Sequence, residues 1–210
     1  MPHPVAVPSI NWLVRVVLPE LERVLIEEFG QTADFVRENA RLYLGGGGEL
    51  NAHRWNQVFW GLKGSSAKKV RARVTMLGAL SDAQLRDELL RKRRVFAAPI
   101  FNNTGISTKV VNAMSHGIPV VTTSGGCRGL GLPEKNKDDI LQVADDARTF
   151  ARKLAVVLVD DRKWLDLATN AKAHVKHTLS REALARVVAD AVLASSSSSS
   201  PKDDDDDDDD

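Results

Sequence analysis

The feature that most constrains this chain is an alternation of short apolar runs with amphipathic stretches along nearly its whole length. Residues 10–29 repeat apolar side chains at helical spacing (Leu13, Val16, Val17, Leu21, Val24 and Leu25), with Pro19 placed to kink or split the helix. Arg41–Leu44 reads as a strand stopped by the Gly45–Gly48 run. Val74–Leu77 reads as a second strand ended by Gly78, and Ser81 or Asp82 then caps a helix to about Leu90. Arg94–Ala98 reads as a third strand, Gly105–His116 as a helix, Pro119–Thr122 as a strand, and Gly125–Gly131 as a loop. A weak strand over Asp139–Val143 precedes helices at about Ala147–Val159, Arg162–His177 and Arg181–Ala194. Strands and helices in this order predict an α/β domain: one Rossmann-like parallel sheet with helices on both faces. There is no internal repeat.

Composition sets the boundaries. Ser195–Ser200 are all serine and Asp203–Asp210 all aspartate, a tail that cannot bury apolar surface and is expected to be disordered. The expected domain is therefore residues 1–194. The net charge of +1 hides an asymmetry: without the eight tail aspartates, 20 acidic residues face 29 Lys and Arg. One cysteine excludes a disulfide framework and a cysteine-based zinc site. No apolar run approaches the roughly 18 residues of a membrane span. The Met1-Pro2-His3-Pro4 start does not read as a secretory signal, and a cytoplasmic location is expected.

The segment with most chemical content is Arg94–Gly131. Ligands of open parallel sheets bind beyond the carboxyl ends of the strands, and the Ile100–Gly105 loop occupies such a place. It leads into a helix whose N-terminus offers unpaired N–H groups and a partial positive charge. Thr104, Ser107 and Thr108 supply hydroxyls, Gly105 permits close backbone approach, and Lys109 adds a cation in the first turn. A lysine there opposes the helix dipole, and an anionic ligand such as a diphosphate accounts for it. A capped helix with a solvated lysine accounts for the same residues equally well.

These residues also carry a family resemblance. Val95-Phe96-Ala97-Ala98-Pro99, the run Gly105-Ile106-Ser107-Thr108-Lys109-Val110-Val111-Asn112-Ala113-Met114-Ser115-His116-Gly117-Ile118-Pro119-Val120-Val121, and Gly129-Leu130 resemble the donor-binding half of GT-B glycosyltransferases. The group-1 family of retaining, sugar-nucleotide-dependent enzymes is the one most similar, over roughly residues 8–190. The resemblance implies hexosyl transfer from a nucleoside diphosphate sugar, with Thr104, Gly105, Ile106, Ser107, Lys109 and Asn112 binding the donor. It also implies metal independence, because the helix dipole and cations hold the diphosphate, and the Ile106 and Ser107 N–H groups with Lys109 would stabilise the leaving diphosphate.

The chain departs from the family in three places. The family's two glutamates, with seven residues between them, correspond to Thr104 and Asn112. Asn112 can hydrogen-bond ribose hydroxyls, but without charge assistance. The family's leading strand, glycine loop and Arg/Lys pair, and its acceptor-binding domain, have no counterpart here. A separate acceptor-binding domain is thus an expected partner, and no nucleophile or general base can be named.

Bland readings cover most of the remaining features. Gly45–Gly48 matches no P-loop. Lys63, Lys68, Lys69, Arg71 and Arg73, with Arg91–Arg94, form a basic face without nucleic-acid motifs. No nucleic-acid partner is expected, and peripheral membrane contact stays open. His116 is expected to bond carbonyls at its helix C-terminus. His53, His174 and His177 have no metal-ligand spacing, and Cys127 is a small residue before it is a thiol. Trp12, Trp55, Trp60 and Trp164 fall on apolar stripes. Three functions compete: an active transferase half, a non-catalytic module that binds a nucleotide or a partner, and a GT-B epimerase, for which no acid pair is present.

Overall fold

The computed structural model describes residues 6–45, 58–59, 62–102 and 105–197. Helix α1 runs unbroken over residues 6–27, and Pro19 does not split it. The turn at Leu13–Val17 is instead widened, so that the Leu18 N–H reaches the Leu13 carbonyl five residues back. Pro19 then enters at the start of the next turn, where its missing N–H costs little. The widened turn also rotates the apolar face. Leu13, Val14, Val17 and Leu18 point inward, whereas Val16, expected in the core, is exposed.

Helix α2 (Ala33–Asn39) is capped by the Thr32 hydroxyl and leads to strand β1 (Leu42–Gly45). Helix α3 (Gly64–Ala72) and strand β2 (Val74–Gly78) follow. Residues 82–90 form α4, opened by a reciprocal Ser81–Gln84 capping box. Then come β3 (Phe96–Ala98), α5 (Thr108–Ser115), β4 (Val120–Thr122), the short α6 (Ser124–Cys127) and α7 (Lys137–Ile140), and β5 (Gln142–Val143). The C-terminal part is helical: α8 (Ala147–Val159), α9 over residues 161–179, and α10 (Arg181–Ser197).

Several of the expected boundaries move. The strand expected over Asp139–Val143 is a helical turn through Ile140, and only Gln142–Val143 pair. Asn136, Lys137, Asp138 and Asp139 are polar and suit a helix start better than a buried strand. Helix α10 continues three residues past the boundary expected at residue 194, while residues 198–210 lie outside the described residues.

The strands are parallel but form two sheets where one is expected, β1–β2 and β3–β4–β5. Leu42 pairs with Val74 in the first, and Phe96 with Val120 and Val121 with Gln142 in the second. Helices cover both faces of the larger sheet, because successive β4 residues point opposite ways. Val121 joins a core built from α1, α8 and the first sheet, with Leu25 and Phe150 fully buried. Val120 joins a second core with Val110, Met114, Leu141 and Ala171. Each large apolar side chain buried there contributes on the order of 1.5–3 kcal/mol.

Arg73, expected on a solvated basic face, is buried instead. It donates to the Ala40 carbonyl (2.9 Å), the Leu18 carbonyl (3.4 Å) and the Glu22 carboxylate (2.6 Å), tying α1 and α2 to the start of β2. Burial lowers its pKa while the Glu22 charge opposes that shift. Arg94 is half-buried and donates to the Val157 carbonyl (2.8 Å) and to the exposed Asp161 (2.5 Å).

Candidate functional site

A groove of about 870 Å³ runs between β1 and β3 and is floored by Leu13 and Val17 of α1 and Leu154 and Leu158 of α8. Its upper end gathers Ser9, Gly45, Ile100, Asn102, Ile106, Ser107, Thr108 and Lys109. The carboxyl ends of β1 and β3 thus meet the start of α5.

The position of that end is fixed by the residues after β4. Both threonines there are buried. The Thr122 hydroxyl donates to the Ala98 carbonyl at 2.6 Å. The Thr123 hydroxyl accepts from the Ile100 N–H (2.9 Å) and donates to the Ile100 carbonyl (2.5 Å). Gly125 lies against the same loop, where a Cβ would collide with the Ile100 carbonyl oxygen. Asp145 receives the Ser124 N–H at 2.8 Å and so holds α6 in place. Thr122, Thr123 and Gly125 are positioning residues that sequence reasoning missed. The Thr-Thr-Ser-Gly-Gly run after an apolar strand was the available signal.

Helix α5 starts later than its sequence implies. Ser107 is its N-cap residue and Thr108 its first residue, so Gly105 and Ile106 belong to the loop. The first-turn donors are therefore the Thr108 and Lys109 N–H groups rather than those of Ile106 and Ser107. The Ser107 side chain makes no capping bond, although its carbonyl accepts from the Val111 N–H at 3.1 Å. No hydroxyl cap therefore competes with an incoming anion. At the other end, Gly117 adopts φ 70°, and the N–H groups of Gly117 and Ile118 close onto Met114 and Ala113. The His116 ring bonds the Asn112 carbonyl there through Nδ1 at 2.8 Å.

Of the residues expected to bind a ligand, Ile106, Ser107 and Lys109 line the groove together. Gly105 and Asn112 are not among its lining residues, and Asn112 lies half-buried about a turn beyond Lys109. Thr104 lies outside the described residues, as do Gly46–Gly48, His53, Trp55 and Trp60. Trp12 packs edge-on against Phe101 and Phe150. Trp164 donates to the Arg94 carbonyl at 2.6 Å, and His174 bonds the Leu130 carbonyl at 2.7 Å. Burial pushes the Cys127 thiol up to about 11, so it stays protonated and a poor nucleophile near neutral pH. Among the described residues, no group of three His, Cys, Asp or Glu side chains could hold a metal ion, and no helix is long and apolar enough to cross a membrane.

Parallel strands, helices on both faces and a groove at the strands' carboxyl ends define a Rossmann-like half of a GT-B fold. Sucrose-phosphate synthase from Thermosynechococcus elongatus shares that fold with a TM-score of 0.56 at 20% sequence identity. The match covers 76% of this chain and 39% of that one, so this chain spans well under half the length of that structure. A search of the curated proteins finds no match. The family model described as Glycosyl transferases group 1 matches residues 9–160, well over half of the chain, and the protein belongs to that family.

Proposed function

We propose that this chain is the donor-binding half of a glycosyltransferase that takes a hexose from a nucleoside diphosphate sugar. The observation that carries the reading is the convergence of the groove's upper end on the start of α5. The Thr108 and Lys109 N–H groups and the Lys109 ammonium there can meet a diphosphate. Transfer would break the bond between the sugar and the diphosphate, and this end of α5 would stabilise the charge left behind. Such stabilisation needs no metal ion, and the donor is the only small molecule the reading requires. The acceptor would be presented by a separate domain. The reading includes a cytoplasmic location and no nucleic-acid partner; contact with a membrane surface would come through the acceptor.

A second reading, a non-catalytic nucleotide-binding module, draws on one observation. Asn112 stands where the family resemblance places a ribose-binding carboxylate, and it does not line the groove. Calorimetric titration with UDP, GDP and ADP tests the binding claim, and assay of the chain with a candidate acceptor domain tests transfer. Lys109→Ala should weaken diphosphate binding roughly tenfold or more through loss of a charge-assisted contact. Stability should hold or rise slightly, since the cation opposes the helix dipole. Unchanged affinity in this variant would remove the phosphate site from α5.

A further inference from the structure

The start of α5 is held from a second side, by the loop that follows α6. Ile106, which precedes the Ser107 N-cap, is half exposed where it lines the groove. Gly129 lies against it: a Cβ there would stand 2.7 Å from Ile106 Cγ1 and 3.8 Å from the Ile106 backbone nitrogen. Gly129 also adopts φ 74°, so both the close approach and the backbone call for glycine. The next two residues fasten this loop to α9. Leu130 is fully buried in the second core with Val110 and Met114 of α5. Its carbonyl lies 2.7 Å from His174 Nε2, and since a carbonyl only accepts, Nε2 carries the proton in that bond. Gly131 faces Thr178, whose methyl is 3.1 Å from where a Cβ on Gly131 would stand.

We propose that His174 is a positioning residue of the diphosphate site, acting through the Leu130 carbonyl and Gly129 on Ile106 and on the N–H groups that open α5. The role rests on the donor reading above and concerns the geometry of that same site. His174 is not among the residues that line the groove, so any effect it has on a ligand there travels through the loop. The route is short. Leu130 is next to Gly129, Gly129 lies against Ile106, and Thr108 and Lys109 follow Ile106 by two and three residues. Hydrogen bonds weaken steeply as the N–H turns away from its acceptor, so a small rotation of this segment takes donors from an anion. Thr123 and Gly125 already hold the Ile100 end of the β3–α5 loop. His174 supplies a second hold, so the frame of the site draws on α9 as well as on β4 and α6.

The test compares His174→Leu, His174→Gln and Gly129→Ala with the unaltered chain. The readouts are the amide resonances of Thr108 and Lys109 without ligand, and calorimetric titration with UDP. Glutamine can place an amide N–H near the position of Nε2, whereas leucine cannot donate. Gly129→Ala interrupts the route at its other end, so the result does not depend on the folding of one variant. Gly30→Ala, at φ 62° with open space where a Cβ would stand, controls for backbone strain alone. The expected result is moved resonances and at least about fivefold weaker UDP binding in His174→Leu and Gly129→Ala. His174→Gln and Gly30→Ala should keep near-normal values of both. Unmoved Thr108 and Lys109 resonances in either His174→Leu or Gly129→Ala would overturn the positioning role. So would a loss in His174→Gln equal to that in His174→Leu, since the donated bond would then not be the cause. A wild-type chain that binds no UDP would instead remove the donor reading, while the ligand-free resonances still decide whether His174 sets the start of α5.

Discussion

At the scale of single residues, two side chains show how position overrides type. Arg73 and Lys109 are both cations in sequence neighbourhoods that look solvated, but Arg73 is buried and Lys109 is exposed at the groove. Arg73 holds three acceptors at once, two backbone carbonyls and the Glu22 carboxylate. Replacing it with Met would take the buried donor from the Ala40 carbonyl, while Glu22 keeps access to water. The Arg73→Met variant should therefore lose about 2–4 kcal/mol of stability, read from urea unfolding. A loss below about 0.5 kcal/mol, the range of ordinary surface changes, would mean that the buried cation is dispensable.

At the scale of elements, the glycines separate by what surrounds them. Gly105 has open space where a Cβ would stand, whereas at Gly125 a Cβ would run into the Ile100 carbonyl. An overpacked contact of this kind costs roughly 1–3 kcal/mol. Gly125→Ala should therefore lower the melting temperature and displace the β3–α5 loop, while Gly105→Ala should change stability little. Equal melting temperatures for the two variants would show that α6 does not set the loop. Gly105 lies in a loop and Gly125 in the short helix α6, and nothing in their local sequence tells which of them is crowded. The distinction arises because β4 ends beside β3, which brings α6 under a loop more than 20 residues earlier.

At the scale of the whole molecule, ion pairs join α1 to α8, more than 100 residues later. Glu28, just beyond α1, accepts from Arg152 at 2.7 Å and from Arg148 at 3.0 Å on α8. Those bonds, Arg152 first, hold its carboxyl below the ordinary carboxylate value. The Arg23 hydrogen bond lowers Glu20 in the same way, and the Thr149 backbone N–H lowers Asp146. A carboxyl whose folded pKa is depressed adds stability above its unfolded value of about 4.3 (near 3.9 for Asp) and loses it as pH falls through the folded value. Melting temperature should therefore be nearly flat from about pH 7 to 5 and fall below that. Glu28→Gln should lower the plateau and make the acid limb shallower. An unchanged acid limb in that variant would assign the acid sensitivity to other carboxyls.

Much of this was legible in the sequence because it rests on local rules. The helix over Ala147–Val159 follows from apolar spacing and its Asp146 cap. The Gly117 stop of α5 follows from the positive φ that only glycine adopts freely. The alternation of strands and helices specified a parallel α/β fold, and the Lys109 to Val121 block specified the family. What the sequence could not determine depends on contacts between distant segments. The burial of Arg73 requires Leu18, Ala40 and Glu22 to meet around it. The clamp on the Ile100 loop requires Thr123, and the split of the sheet requires β1 and β3 to stand apart. A strand's own residues specify that it will pair, since each carries a donor and an acceptor that must be satisfied. Which partner satisfies them, and whether an edge stays open, is decided only when the chain closes on itself.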